Sequence, residues 1–390
     1  MEISSRSRTA PFRAMDVLAE AGRLESGGRD IVHMEVGEPA FGAPAAARAR
    51  LADALSRGEG MGYTDGLGRP DLRAAIAGLY RRRHGIELDP GRVVVTSGSS
   101  AGFSLAFLTL FDAGQRVAIG DPGYPCYRNI LGVLGLEPVR IATSLADRYQ
   151  PTPETLDAAG PADGLLVASP ANPTGTMLDR AALCALVEHC RARGMWLISD
   201  EIYHGLEFGE RAVSALELTD DAIVINSLSK YHAMTGWRVG WMVLPEALVR
   251  PVQTLAQNLF ICPSHAGQIA ALGALSEEGE AEVAAHLARY RENRATVLDG
   301  LAALGFSDIA PADGAFYAYA GLGDLAADST AFCRALLRAE GVATTPGLDF
   351  DPERGHRTLR LSFAQSPERI RDGMDRLARF LRAGCPGLSG

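Results

Sequence analysis

The most unusual absence from this sequence is lysine, because Lys230 is the only one among 390 residues. Lysine and arginine together number 38, so the other 37 basic residues (38 − 1) are arginine. Arginine can replace lysine as a charge but not as a primary amine, because its guanidinium stays protonated and is a poor nucleophile. Composition alone leaves two readings of Lys230 open: a chance survivor, or a position where the chemistry requires an amine.

Features that define several other classes of protein are also missing. The six cysteines form no CxxC pair, which argues against a zinc site and against a disulfide framework. The N-terminus lacks the apolar segment of a signal peptide, and no apolar run approaches the length of a membrane span. We therefore expect a cytoplasmic protein without a metal site and without a membrane partner.

Basic residues are also fewer than acidic residues, 38 against 47. The net charge is -9 and the pI is about 5.5, which disfavours nucleic acid or an anionic membrane as the main partner. A local basic pocket can still hold a small anion. Hydrophobic residues make up 47% and charged residues 22%, which is the balance of a packed globular protein.

From Arg92 onward, short apolar runs alternate with amphipathic segments of helical length. This alternation predicts an α/β domain built on a mostly parallel sheet flanked by helices. The predicted strands of this domain cover residues 93–95, 116–119, 165–168, 195–199, 223–226 and 237–244.

The chain beyond Pro251 is rich in helical patterns and predicts a smaller α+β domain. We expect long helices over 281–301 and 367–383. The predicted domain organisation is an N-terminal arm with part of the small domain (1–46), a large domain (47–281) and the C-terminal part of the small domain (282–390).

Polar side chains fall at the carboxyl ends of the predicted strands, where open α/β sheets bind their ligands. One crevice can therefore collect them. These residues are Ser99, Tyr124, Asn172, Asp200, Tyr203 and Ser227.

The loop after the strand at 223–226 combines two hydroxyls, an amine and a guanidinium. Arg238 and Ser227 suit a phosphate dianion, because arginine supplies a charged fork and serine a short donor. Lys230 in the same loop can reach an aldehyde held by that phosphate. A serine and a lysine at this spacing are weak evidence alone, but Gly236 and Arg238 beside them strengthen the prediction.

Three stretches in this chain carry a family resemblance. SLSKYHAMTGWRVG, SPANPTG and SDEIYHGL resemble signatures of the fold-type-I pyridoxal-phosphate aminotransferases of class I/II, in the family's order and approximate spacing. Weaker similarity covers VGEPAF, YTDGLGRPDLR, DPGYPCY and LRLSFA, so the resemblance extends over nearly the whole chain. It implies the fold-type-I architecture, pyridoxal 5′-phosphate as cofactor, and aminotransferase activity.

The resemblance also implies roles for residues around the cofactor ring. Lys230 forms the Schiff base and later moves the substrate proton, and Asp200 pairs with the protonated pyridine nitrogen, which keeps the ring an electron sink. Asn172 and Tyr203 donate to the ring hydroxyl oxygen, and Asn172 also borders the substrate. Tyr124 lies on the ring, with a turn tyrosine in a Pro-Gly loop as the alternative interpretation.

Other implied contacts concern the cofactor phosphate. Ser99, Ser100, Ser227 and Arg238 bind it, with the first two at the start of a helix whose amides face the anion. Tyr63 matches a tyrosine that reaches the phosphate from the neighbouring subunit, which implies a homodimer with shared active sites. A core tyrosine is the competing reading of Tyr63.

Substrate contacts follow from the same resemblance. Arg360 grips the α-carboxylate of the substrate in bidentate fashion, and an arginine inside an apolar strand needs an anion in any case. Gly37 brings its backbone close to the substrate, or is an ordinary turn glycine. The expected reaction is ping-pong: an L-amino acid leaves its nitrogen and departs as a 2-oxo acid, and a second 2-oxo acid takes the nitrogen up.

Three alternatives remain open at this point. The same scaffold can serve a C–S lyase, a decarboxylase or a cyclising synthase. Gly98 to Gly102 fits the GxSxG elbow of an α/β hydrolase, with Ser100 as nucleophile and a histidine such as His356. A binding or regulatory protein could also reuse the fold. No motif identifies a second arginine for a distal carboxylate, so a neutral or aromatic donor is preferred.

Overall fold

The computed structural model describes residues 2–388, and within them the strands form one large and two small sheets. The strands, numbered in chain order, are β1 Val32–His33, β2 Val93–Thr96, β3 Arg116–Asp121, β4 Glu137–Ala142, β5 Gly164–Ala168, β6 Trp196–Asp200, β7 Ile223–Ser227, β8 Gly240–Val243, β9 Tyr317–Gly321, β10 Val342–Ala343, β11 Thr345–Pro346 and β12 Thr358–Ser362.

Helices surround these sheets, and none within residues 2–388 is both long and apolar enough to cross a membrane. The α-helices are α1 Arg13–Ser26, α2 Ala45–Ser56, α3 Pro70–His84, α4 Ser99–Leu110, α5 Pro125–Leu134, α6 Pro153–Ala159, α7 Arg180–Arg193, α8 Glu246–Phe260, α9 His265–Ala274, α10 Glu277–Ala303, α11 Ser329–Glu340 and α12 Pro367–Arg382.

The large sheet has the order β2-β8-β7-β6-β5-β3-β4. Strands β3 to β7 pair in parallel with one another, whereas β8 runs antiparallel to both β2 and β7. The predicted fold class, a mostly parallel sheet flanked by helices, is confirmed. Because the parallel strands all end at one edge, the loops that follow them converge there.

Both faces of the large sheet are buried, as expected for parallel strands covered by helices. In β5, Leu165 and Val167 pack into one apolar cluster while Leu166 packs into another. Side chains of consecutive residues point to opposite faces of a strand, so this alternation places one core on each face. The sheet is thus a rigid support for the loops at its edge.

The N-terminal segment packs with the C-terminal part of the chain. Strand β1 pairs in parallel with β10, and Val32 and Met34 share an apolar cluster with Phe332 and Phe380. A separate antiparallel sheet has the order β11-β12-β9. These contacts agree with a small domain made from both ends of the chain, while the boundaries at 47 and 281 stay predictions.

One predicted strand begins later than the sequence pattern suggested. The apolar run at 237–244 predicted a single strand, but β8 begins only at Gly240. Residues Thr235–Trp237 form a 3-10 turn, and Arg238 has a positive φ of 54°, which no extended strand allows. The turn directs the Arg238 side chain toward the first turn of α4, which becomes important for the site.

Candidate active site

A cavity at the carboxyl edge of the large sheet collects ten of the twelve residues that the sequence singled out. They are Gly37, Ser99, Ser100, Tyr124, Asn172, Asp200, Tyr203, Lys230, Arg238 and Arg360. The cavity is also lined by Phe12, Ala14, Met15, Val36, Phe103, Tyr127, Ile202, Ser229, Thr235 and Tyr317. Ser227 and Tyr63 do not line it.

Lys230 lies in the loop that follows β7, and its side chain is partly buried against the cavity wall. Its Nζ donates a hydrogen bond to the carbonyl oxygen of Gly37 at 2.7 Å. Burial, reinforced by the positive charges of Arg360 and Arg238, lowers the pKa of Lys230 to about 8. The lower pKa increases the unprotonated fraction of this amine near neutral pH, and the unprotonated form is the one that acts as a nucleophile or base.

Asp200 is the last residue of β6 and is only 3% exposed. Burial raises its pKa to about 6, although hydrogen bonds from the Tyr127 hydroxyl and the Ile202 N–H oppose the rise. Sequence reasoning missed Tyr127. The signal was available, because Tyr124 and Tyr127 are three residues apart at the start of α5 and so share one face of it.

One end of the cavity is built to receive an anion. Ser99 and Ser100 begin α4, so unpaired backbone N–H groups of its first turn face the cavity. The Arg238 guanidinium lies beside this turn: a Cβ added at Gly98 would be 2.4 Å from its Nη2. A side chain at position 98 would displace the guanidinium from the helix start and would be strained by the positive φ of 75°.

The two serines of the lysine loop are placed differently. Ser229 lines the cavity, whereas Ser227 is 2% exposed and its Oγ accepts a hydrogen bond from the Ser229 N–H at 3.1 Å. Ser227 therefore holds the loop in shape, and its predicted contact with a phosphate stays a prediction.

Arg360, in the middle of β12, is a buried cation that also lines the cavity, on a different element from Arg238. Its guanidinium stacks between Tyr317 and Phe350, with its central carbon 4.5 and 4.7 Å from the two ring centroids. Its Nη1 donates to Asn172 Oδ1 at 3.0 Å. Its Nη2 donates to the Glu35 carbonyl oxygen and to Thr345 Oγ1, whereas within residues 2–388 no carboxylate forms an ion pair with it and its Nε has no hydrogen-bond partner. A buried arginine without a carboxylate partner favours binding of an anionic ligand, which would neutralise its charge.

Gly37 occupies a position where no side chain fits. A Cβ there would lie 1.7 Å from the Tyr317 hydroxyl oxygen. That hydroxyl is also hydrogen-bonded to the Tyr203 hydroxyl at 2.8 Å. Gly37 is therefore more than an ordinary turn glycine. Its carbonyl oxygen accepts the hydrogen bond from Lys230, and its lack of a side chain leaves room for the Tyr317 hydroxyl. No motif signalled Tyr317, which the pairing of β9 with β12 brings to the site.

Tyr63 lies on the surface with 86% of its area exposed, so the core-tyrosine interpretation is wrong. The loop that carries it is attached to the region after α8. The Thr64 N–H points to Cys262 Sγ at 3.5 Å, and His265 Nδ1 lies 2.9 Å from the Gly62 carbonyl oxygen.

The arrangement gives no support to a serine hydrolase. Ser100 lines the cavity, but no histidine among the described residues 2–388 does. His356 is exposed, and its Nδ1 lies 3.3 Å from the Glu353 carbonyl oxygen. Ser100 therefore lacks the adjacent base that would activate its hydroxyl.

Comparisons with known proteins agree with this geometry. The family described as aminotransferase class I and II matches residues 29–377. A valine–pyruvate aminotransferase of Mycobacterium tuberculosis is 47% identical over 383 residues, covering 97% of this chain and 98% of that protein. A crystal structure of an aminotransferase from the same organism superposes with a TM-score of 0.95 at 46% identity, covering 98% of this chain and 100% of that one.

A more distant relative has the same architecture. The aspartate aminotransferase of Thermus thermophilus, solved with maleate, gives a TM-score of 0.91 at 30% identity and covers 97% of this chain and 99% of that one. The fold and the site together define a fold-type-I enzyme. The chain belongs to the class I and II aminotransferases.

Proposed function

We propose that this aminotransferase binds pyridoxal 5′-phosphate as a Schiff base on Lys230 and transfers the amino group of a neutral L-amino acid to a 2-oxo acid. The observation that carries the proposal is the grouping of one amine, one buried carboxylate and two separate anion-binding ends in a single cavity. The cofactor has the complementary groups: an aldehyde, a pyridine nitrogen and a phosphate. The α-carboxylate of an amino acid matches the remaining arginine.

The residues present fit this cofactor. The start of α4, Arg238 and Ser229 offer donors to a phosphate, and Gly98 keeps that cradle open. Asp200 is placed to pair with a protonated ring nitrogen, which would replace the solvation that burial has removed. The Tyr124 ring provides a flat apolar surface beside these groups. When bound, the cofactor supplies an electron sink that makes the α-carbon proton of an amino acid acidic.

The residues of the chain then carry out three tasks. Arg360 binds the α-carboxylate and, with Asn172, orients the amino acid. The Lys230 amine accepts the proton from the α-carbon and then gives it up again, and the lowering of its pKa by burial favours the unprotonated form that begins this transfer. Tyr203, held by Tyr317, donates to the ring hydroxyl oxygen. The two half-reactions give the ping-pong order.

The amino donor we propose has an uncharged, apolar side chain. Phe12, Met15 and Val36 line the cavity, and the arginines that line it among residues 2–388 are Arg238 and Arg360, which are assigned to the phosphate and the α-carboxylate. A distal carboxylate would therefore find no third guanidinium within one protomer. The name of the valine–pyruvate relative agrees with a branched aliphatic donor and a small 2-oxo acid acceptor.

We also propose that two copies of the chain share their active sites. An exposed apolar patch lies at the end of α8 and consists of Leu259, Phe260 and Ile261. The loop that carries Tyr63 is held beside it by the hydrogen bond from the Thr64 N–H to Cys262 Sγ. An apolar patch of this kind on a globular protein indicates a protein interface. A second copy covering the patch would also bury Tyr63 and bring it toward the phosphate end of the partner's site.

The test compares absorption spectra of the wild-type protein, K230A and K230R after addition of pyridoxal 5′-phosphate. We expect a near-visible band in the wild type that shifts with neutral amino acids, with 2-oxo acid formed and no ammonia released. K230R retains the charge of the only lysine but not its amine, so it separates electrostatic from covalent binding.

The outcomes are distinct. Identical spectra for all three proteins would refute covalent attachment through Lys230. A band with release of ammonia would instead identify a lyase, and release of carbon dioxide a decarboxylase. A shift with aspartate and glutamate but not with valine or alanine would overturn the assignment of an apolar donor.

A further inference from the structure

The first turn of α1 forms an apolar wall of the cavity. Phe12, Ala14 and Met15 all line it, and the Phe12 ring meets the edge of Tyr124 with centroids 6.1 Å apart. Helix α1 packs against β11, and β11 pairs with β12 with Thr345 opposite Arg360. The wall therefore lies near Arg360, where the side chain of an amino acid bound through its carboxylate would extend.

Helix α1 begins without a cap from its own sequence. Phe12 occupies the N-cap position and offers no side-chain acceptor. The acceptors come instead from Asp349, more than 300 residues away: its Oδ1 accepts from the Arg13 N–H at 2.9 Å and its Oδ2 from the Ala14 N–H at 2.8 Å. Asp349 is 1% exposed. A buried carboxylate with both oxygens bonded to a helix start is a strong and specific anchor.

The same short segment supports Arg360. Asp349 ends the 3-10 turn Gly347–Asp349, and the next residue, Phe350, lies against the Arg360 guanidinium. The backbone of this segment is fixed from the other side, because the Phe350 carbonyl accepts from the Gly123 N–H at 3.0 Å and the Asp349 carbonyl accepts from the Arg128 guanidinium. Two adjacent residues thus connect the carboxylate-binding arginine to the apolar wall.

We propose that Asp349 is a positioning residue that fixes the apolar wall of α1 relative to Arg360 and so sets which amino-acid side chains the site accepts. The inference rests on the proposed binding of an amino acid through Arg360. Asp349 touches neither the substrate nor the cofactor in this account. Its effect is transmitted through the first turn of α1, so its loss changes the preference among donors rather than the chemistry at Lys230.

The experiment compares D349A, D349N and D179A as holoenzymes. D179A is the matched control, because Asp179 caps α7 through the Ala182 N–H at 2.8 Å and does not line the cavity. Two quantities are measured: hydrogen exchange of the peptide that covers the first turn of α1, and kcat/KM for alanine and for a panel of larger neutral amino acids.

We expect faster exchange in the first turn of α1 in D349A, with kcat/KM for the best donor lowered about tenfold, because misplacing a positioning group costs one to two powers of ten in rate. The ratio of kcat/KM between the best donor and alanine should shrink, whereas the band of the bound cofactor stays unchanged. D349N retains one acceptor oxygen and should lie between D349A and the wild type. D179A should match the wild type in both measurements.

Faster exchange with an unchanged donor ratio would overturn the inference and leave Asp349 a purely structural cap. Unchanged exchange in D349A would overturn it as well. If D349A does not fold, D349N decides between these outcomes by the same two measurements. A wild type that converts no amino acid refutes the proposed function instead, and the inference falls with it. A wild type that discriminates among donors while D349N keeps the same ratio refutes only the role of Asp349.

Discussion

At the scale of single residues, the site contains groups whose charge states the folded protein disfavours. Asp200 is buried beside Tyr127 with its pKa raised to about 6, and Lys230 is buried near two arginines with its pKa lowered to about 8. Perturbed pKa values of this kind mark functional sites, because reactive groups must be kept available at working pH. Ionised Asp200 is unfavourable in the empty site, and a bound ligand with a positive charge would offset this cost.

Replacing Asp200 by asparagine should therefore stabilise the cofactor-free protein. The rise of the pKa from 3.8 to about 6 corresponds to roughly 3 kcal/mol of unfavourable ionisation at neutral pH. Below pH 3.8 the carboxyl is protonated in both folded and unfolded states and the penalty vanishes. It grows as the pH rises toward 6 and is complete above that. Urea unfolding of D200N and wild type at several pH values measures it.

The control for this experiment is D112N, an exposed aspartate that should change stability little at any pH. D200N should at the same time lose affinity for pyridoxal 5′-phosphate, which couples a gain in stability to a loss of function. A D200N apoprotein less stable than wild type at pH 7.5 would contradict the account, as would a difference that does not decrease between pH 6 and pH 4.

At the scale of elements, the antiparallel strand β8 shapes the anion-binding end. It lies between β2 and β7, and the Arg238 turn precedes it directly. A Cβ at Gly240 would be 2.7 Å from the Gly98 carbonyl carbon and from the Ser99 nitrogen. The start of α4 thus packs on β8 at backbone contact distance, where only glycine fits.

The substitution G240A should displace the first turn of α4 and weaken binding of pyridoxal 5′-phosphate about tenfold or more, because a helix N-terminus binds an anion only in the correct place. The affinity for pyridoxal, which has no phosphate, should change much less. Absorption titrations with both compounds measure the two affinities.

G132A in α5 is the matched glycine substitution, since a Cβ at position 132 meets nothing within 4 Å. It should leave both affinities unchanged and stabilise the helix slightly. Equal losses of affinity for both compounds in G240A would show that β8 supports the whole site rather than its phosphate end.

At the scale of the whole molecule, the cavity draws on residues from Phe12 to Arg360, nearly the full length of the chain. Both ends of the chain contribute, because β1 pairs with β10 and Asp349 anchors α1. The exposed Tyr63 and the apolar patch beyond α8 extend the argument to a second copy. If the site is shared in this way, residues from two protomers are needed for activity, and this requirement can be tested.

Mixing two inactive variants should restore activity if the active sites are shared. Under the proposal, each site takes Lys230 from one subunit and Tyr63 from the other. In a mixed dimer of K230A and Y63A, one site would therefore contain both substitutions and the other site neither. When equal amounts of the two are unfolded and refolded together, about half of the dimers are mixed and each mixed dimer has one intact site in two, so we expect the sample to recover up to about a quarter of the wild-type activity.

Each variant refolded alone is the control, and sedimentation should show a dimer in every case. Mixed dimers without recovered activity would indicate that Tyr63 serves the site of its own protomer, and a Y63A variant that is active when refolded alone would indicate that Tyr63 serves no site. A monomer in the presence of cofactor would refute the proposed assembly altogether.

The sequence by itself determined the fold class, the family and ten of the residues that line the cavity. The alternating patterns from Arg92 onward predicted the parallel sheet, because strand and helix periodicities are local properties of the chain. The motifs around Lys230, Asn172 and Asp200 identified groups that lie in one cavity, because residues at the carboxyl ends of parallel strands meet at one edge.

Only the tertiary structure decided which further residues complete the site. Tyr317 and Asp349 carry no local signal, because their roles depend on pairing and contacts between segments far apart in the chain. The late start of β8 depends on the positive φ of Arg238, which apolar periodicity does not report. Periodicity encodes which face of an element is buried, whereas the partner of a buried polar group is set by the packing of distant elements.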